Sequence, residues 1–287
     1  MQGDVARGPW ARRLFASLRR SKLGRVKFLT RVYRDAVVRW HGSNEVRVGE
    51  FVMTFSPCDR YLPAKLIVDG GYEQVEMTLL CSLIEPGDVV LDIGANIGLY
   101  TLAMSRAVGP TGRVIAFEPD PENLVFLRRN VEANDCRNVT VVPCALGDQT
   151  KEMSLVQIDD QKGYQSFADL GGTGKSVHVS MRRGDDVLRE LGVGPPRVMK
   201  MDVEGAEPLV LAGLGCRPSY LQLEFVPAQI RALELDPLPM LRDLVAAGYA
   251  LATIDCRTGR LTPTSPEELL RIADETGLDY NVLATLS

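Results

Sequence analysis

The chain has 287 residues, 45% hydrophobic and 24% charged, with a formal net charge of −4. That composition excludes a disordered or fibrous chain and suits one large domain, alone or with appendages. No stretch approaches the ~18 consecutive apolar residues of a membrane-spanning helix; six scattered cysteines with no Cys-x-x-Cys pair argue against a disulfide framework or structural zinc and suit a reducing cytoplasm.

The net charge hides an asymmetry. Residues 1–40 carry eleven Lys/Arg against two Asp, or +9, so the other 247 residues carry −13. The start holds arginines but no continuous apolar block of signal-peptide length. Trp10, Leu14 and Leu18, then Val26, Leu29, Tyr33, Val37 and Trp40, recur at helical spacing. Such a helix can lie on an anionic membrane surface or dock on the body with a solvated basic face. Docking is the expectation, with at most weak membrane contact. The predicted division is therefore a basic helical extension, 1–44, and a catalytic domain, 45–287. The acidic body argues against a nucleic-acid partner, because phosphate contacts need Lys and Arg at the site itself.

From residue 45, "EVRVGEFVMTFSP" alternates apolar and polar residues and predicts one or two short strands. "YEQVEMTLLCSLI", 72–84, predicts a helix stopped by Pro86-Gly87. Strands and helices then alternate. "VVLDIG" is a buried strand, "LYTLAMSRA" a helix, "RVIAFEP" a strand, "PENLVFLRRNVEAN" a helix opened by Asp120-Pro121, and "VTVVPCAL" a third strand. Residues 147–190 interrupt the pattern: "KEMSLVQID" and "SVHVSMRR" read as an antiparallel pair around a Gly-rich stretch. The alternation resumes with "RVMKMDVEGAE", the helix "EPLVLAGL", the strand "YLQLEFV" and the helix "PLPMLRDLVAAG". "YALATID" and "YNVLATLS" close the chain as strands. Continuous apolar strands between helices predict a parallel sheet covered on both faces.

The turn after the first such strand reads Asp92-Ile93-Gly94-Ala95-Asn96-Ile97-Gly98. A dinucleotide turn would read Gly-x-Gly-x-x-Gly. Here Asn96 replaces the middle glycine, and Asp92 stands where a pyrophosphate would be repelled and a cationic ligand welcomed. Glu118 ends the second strand, 26 residues on, placed to accept both ribose hydroxyls. A nucleoside with a cationic tail describes S-adenosyl-L-methionine.

"DIGANIGLYT", "EPDPENLVFLRRN", "CALGD" and "VMKMDVEGAE" together resemble the FkbM family of class I S-adenosylmethionine-dependent methyltransferases, over roughly residues 65–286. The resemblance implies an α/β, Rossmann-like sandwich with a mostly parallel seven-stranded sheet and a β-hairpin insertion after the third strand. It also implies a cofactor across the carboxyl ends of the first three strands, and methyl transfer to hydroxyls of sugars, glycolipids or polyketide-type products. By the same resemblance Asp92, Gly94, Asn96 and Gly98 line the methionine part of the cofactor, Glu118 binds its ribose, and Ala145, where the third strand ends, meets the adenine. Two stretches depart from the family pattern: "RRGDDVL" replaces the usual Thr-Leu-Asp, and residues 1–40 lie outside it.

Methyl transfer to a hydroxyl needs alignment and a proton acceptor or a metal. "KMDVEGAE" offers Lys200, Asp202 and Glu204, which a strand of period two would point to one side, with Glu224 at the end of the next strand as neighbour. Asp202 is the expected base. Glu207 serves the following helix's dipole equally well, and His178 in the insertion is a minor candidate. No metal-ligand set is expected. The insertion, with Tyr164, Phe167, Gly171, Gly172 and Gly174, suits a substrate lid. The expected acceptor is a small molecule or glycan. A non-catalytic cofactor-binding scaffold and an NAD-dependent oxidoreductase are the alternatives.

Overall fold

The computed structural model describes residues 36–59, 61–69, 71–157, 165–166 and 175–286. These fall into two compact units, one ending at Tyr72 and the other starting at Glu73.

In the first unit, β1 (Glu45–Val48) and β2 (Phe51–Thr54) pair antiparallel through the turn at Gly49-Glu50. Val46, Val48, Phe51 and Met53 are buried, as the alternating pattern predicted. Helix α1 (Leu62–Asp69) follows, unpredicted from sequence. It carries Lys65 between the rings of Tyr61 and Tyr72, 4.6 and 4.3 Å from their centroids. The predicted basic helices fall mostly on residues 1–35, outside the described residues; residues 36–41 are helical.

The second unit opens with α2 (Gln74–Ser82), β3 (Val89–Ile93), α3 (Leu99–Val108), β4 (Arg113–Phe117), α4 (Pro121–Ala133) and β5 (Val139–Val142). Asp120 caps α4 by accepting the Glu122 and Asn123 N–H groups, with Pro121 at the first helical position. The predicted third strand "VTVVPCAL" then breaks. Pro143 has no N–H for a ladder, and the chain restarts as β6 (Ala145–Gly147) in a second sheet. There β6 lies parallel to β9 (Lys175–Arg183), and β7 (Lys151–Gln157) lies antiparallel to β9, as predicted for the insertion. β8 (Gln165–Ser166) pairs with β7. Tyr164, Phe167, Gly171, Gly172 and Gly174, expected to form a substrate lid, lie outside the described residues.

After α5 (Gly184–Glu190), the chain returns as β10 (Val198–Met201), α6 (Glu207–Ala212), β11 (Tyr220–Phe225), α7 (Pro227–Ala232), α8 (Pro237–Ala246), β12 (Tyr249–Ile254), β13 (Leu261–Thr264), α9 (Pro266–Thr276) and β14 (Tyr280–Leu286). The large sheet has the order β13-β12-β14-β11-β10-β3-β4-β5. Strands from β11 to β5 are parallel, and β14, β12 and β13 join antiparallel. The seven expected strands thus gain an eighth, β13, an exposed edge strand that tolerates Pro263.

Both faces are covered, as predicted. Leu91, Ile93, Ile115, Phe117, Met199, Met201 and Leu223 pack on one face with Leu241 of α8 and Leu269 of α9. The alternate residues Val90, Val114 and Val198 pack on the other with Leu80 of α2 and Met104 of α3. By the same period of two, Asp92 and Lys200 share the face of Val90 and Val198, under α2 and α3.

Candidate active site

The strand order reverses between β3 and β10: β4 and β5 extend the sheet to one side, β10 and β11 to the other. Ligands of open α/β sheets bind at the carboxyl ends beside such a reversal. Here the turn after β3 is fastened on two sides. Toward β4, Gly94 and Ala95 donate to the Phe117 carbonyl (3.0 and 2.9 Å), and the Asn96 N–H donates to Glu118 Oε2 (2.7 Å). Toward β10, Asp202 donates its N–H to the Ile93 carbonyl (3.0 Å). Gly94 has φ +82°, and a Cβ there would lie 1.8 Å from the Asp202 carbonyl oxygen. Glycine is needed at this point because backbone meets backbone.

Glu118 is 3% exposed, so it is no solvated strand end. Its second oxygen accepts the Asp120 N–H at 2.9 Å. Burial pushes the carboxyl up to about 7, although both backbone donors favour its charged form. A carboxylate has about four acceptor positions, so each oxygen keeps capacity for a ribose hydroxyl after holding the turn. Ala145 departs from expectation. The third strand ends at Val142, and Ala145 opens β6, opposite Met181 in the second sheet.

The block after β10 gathers the charges, though not by strand alternation. β10 stops at Met201, and Glu204 (φ +54°) and Gly205 (φ +98°) turn left-handed, so Lys200, Asp202 and Glu204 do not share a strand face. They come together through the turn. Lys200 Nζ lies 2.9 Å from Asp202 Oδ2; the lysine side chain is 7% exposed and the aspartate 28%. Burial works against the Lys200 charge, but Asp202, Asp92 and Glu73 overcome it and hold the ammonium protonated. Burial and then Asp202 push Glu204 up to about 9; burial, Asp202 and Glu204 push Glu224 up to about 10. Gln229 of α7 donates its amide to Glu204. Glu207 begins α6 fully buried and accepts the Val203 and Gly205 N–H groups, both at 3.3 Å, which makes it a fastener of the turn. His178 sits on an exposed position of β9 opposite Ser154, in the second sheet.

Sequence reasoning missed Glu73, Tyr100 and Gln222. Tyr100, on the first turn of α3, donates its hydroxyl to Glu73 Oε2 (3.0 Å) and accepts from Gln222 Nε2 (3.3 Å). The only local signal was a tyrosine two residues past Gly98. Among the described residues no group of three or more His, Cys, Asp or Glu is placed to hold a metal, and no helix is long and apolar enough to cross a membrane.

The profile of the family described as "Methyltransferase FkbM domain" matches residues 92–245, from the glycine turn into α8. The chain belongs to this family. Methyltransferase 1 of Beauveria bassiana is 30% identical over 44% of this chain and 57% of its own length. 31-O-demethyl-FK506 methyltransferase FkbM of Streptomyces tacrolimicus is 30% identical over 46% and 61%, and hexuronic acid methyltransferase AglP of Haloferax volcanii 31% identical over 56% and 63%. The chain thus spans about three fifths of the length of these relatives. As an FkbM methyltransferase domain its cofactor is S-adenosylmethionine, and the residues present fit that group. The buried Glu118 carboxyl, the side-chain-free approach at Gly94 and the partly exposed Asp202 carboxylate against it suit a ribose and a cationic tail.

Proposed function

We propose that the protein transfers a methyl group from S-adenosylmethionine to a hydroxyl oxygen of a sugar, glycolipid or polyketide-type small molecule. The observation that carries this reading is Asp202, a partly exposed carboxylate one residue past β10, against the Gly94 turn and braced by a buried ammonium. One relative is named for a 31-O-demethyl compound and another for a hexuronic acid, which supports an oxygen acceptor.

When bound, the cofactor supplies a sulfonium methyl for in-line displacement, and the chain's own groups do the rest. Glu118 holds the ribose hydroxyls. Lys200 occupies Asp202 Oδ2, which leaves Oδ1 to accept the proton of the acceptor hydroxyl as its oxygen attacks. Burial and the nearby Asp202 favour the protonated forms of Glu204 and Glu224, which then serve as hydrogen-bond donors that fix the acceptor's other oxygens. Residues 45–287 form the catalytic domain in this reading. On the same reading the basic residues 1–44 are an extension of that domain with at most weak contact to anionic membrane, and the protein works in the cytoplasm.

Asp202→Asn tests the base, because it keeps shape and most hydrogen bonds but removes basicity. Donor turnover with a panel of hydroxylated acceptors falls at least ~100-fold, while S-adenosylhomocysteine affinity stays near wild type; the melting temperature falls, because Lys200 loses its charge partner, but the variant stays folded at the assay temperature. A variant that keeps most of its turnover removes Asp202 from the chemistry.

A further inference from the structure

Lys200 is built into the sheet between two polar neighbours. In the parallel register it stands beside Asp92 of β3 and beside Gln222 of β11. Asp92 is 0% and Gln222 1% exposed. Each of them carries a buried oxygen with no hydrogen-bond partner, Asp92 Oδ1 and Gln222 Oε1. Orphaned acceptors are costly in a protein interior. An ammonium has three N–H groups, and Lys200 spends one on Asp202. The two orphans therefore flank an ammonium with two donors left, although neither is in hydrogen-bond geometry with it.

The fourth wall is Tyr100. The Lys200 ammonium lies 4.9 Å from the centroid of its ring, within cation–π range. The tyrosine hydroxyl meanwhile ties Gln222 to Glu73. Glu73 is itself one of the anions that attract Lys200. By occupying Glu73, the hydroxyl weakens one competitor of Asp202 for the ammonium, while Asp92, the stronger one, is fixed in its strand and tied through its other oxygen to Thr101.

We propose that Tyr100 is a positioning residue: with Gln222 and Asp92 it forms a cradle that keeps the Lys200 ammonium on Asp202. Its value to catalysis rests on the reading of Asp202 given above, but the cradle itself is tested without turnover. The titratable groups that face the pair are Asp92 with Cys81 of α2 behind it, Glu73 and Tyr100, then Glu204 and Glu207 beyond β10, and Glu224 on β11. None of them is altered by the substitutions below except Tyr100 itself.

The experiment uses the full chain labelled with 15N-lysine and 13C-aspartate. A buried, hydrogen-bonded ammonium exchanges its protons slowly, so Lys200 gives an Nζ–H cross-peak at neutral pH, assigned by its loss in Lys200→Met. In Tyr100→Phe, which keeps the ring, and in Gln222→Leu, that cross-peak weakens or vanishes. The Asp202 carboxyl carbon resonance at neutral pH then moves, because the ammonium that donates to it has left. Melting temperatures recorded alongside separate this from unfolding. If both folded variants keep the cross-peak and the Asp202 carboxyl resonance of the wild type, the cradle is overturned. Should the cradle stand while Asp202→Asn retains turnover, the fault lies in the base assignment and not in the cradle.

Discussion

Replacing Glu118 with glutamine keeps the volume of a buried side chain but turns one of its two acceptors into a donor. In the native chain those acceptors hold the N–H groups of Asn96 and Asp120. At pH 5 the buried carboxyl is protonated, but its hydroxyl oxygen can still accept an N–H where an amide nitrogen cannot, so the variant is less stable than wild type by about 1–3 kcal/mol. The gap then changes with pH in a defined direction. Folded Glu118 is pushed by burial from 4.5 up to about 7. Its folded pKa is raised, so between those values the folded chain keeps a proton that the unfolded chain has lost, and stability falls as pH rises. The contribution is complete below 4.5 and gone above 7, and amounts to about 3 kcal/mol. Glutamine has no such term. Glu207, also raised to about 7 by burial, titrates in both proteins and cancels in the comparison. Urea unfolding of wild type and Glu118→Gln at pH 5 and pH 8 therefore shows the gap closing, or reversing, by about 3 kcal/mol. A gap that stays constant across that window refutes both the buried-carboxyl account and the placement of Glu118 beneath the turn.

Gly94→Ala forces a Cβ to within 1.8 Å of the Asp202 carbonyl oxygen at φ +82°; the left-handed backbone alone costs about 1–2 kcal/mol and the overlap about as much again, so an unchanged urea midpoint would falsify the contact between the ends of β3 and β10. Calorimetry of the purified chain gives binding of S-adenosylhomocysteine and none of NAD, and the reverse pattern would sink the reading of the glycine turn. Vesicles of anionic lipid co-sediment the chain weakly at best; strong sedimentation that is reversed by high salt and lost on deleting residues 1–40 would overturn the expectation of at most weak membrane contact.

Local chemistry was legible where a single stretch of chain decides it. The cap at Asp120-Pro121, the glycine turn and the insertion's antiparallel pair each depend on residues close in sequence, and each formed as expected. The same kind of signal was present and passed over at Pro143, which ends β5, and at Ser265, which caps α9 by accepting the Glu268 N–H after the pattern Ser-Pro-Glu-Glu. What could not be read was anything that depends on strand order. Asp92, Lys200 and Gln222 become neighbours only because the chain, after building β4 and β5 outward from β3, crosses back to lay β10 and β11 on the other side. Tyr100 meets Glu73 across 27 positions and Gln222 across 122, distances at which periodicity says nothing. The period of two even misled at Glu204, because a strand's alternation ends where its backbone turns left-handed. The carboxylates nevertheless converge, since the turn that breaks the strand folds them back over its end. Burial and crowding at that point, and not the spacing of the motif, raise Glu204 and Glu224 and hold the Lys200 charge on Asp202. The motif supplies the groups, and the topological reversal supplies the electrostatics that would make them a proton-handling site.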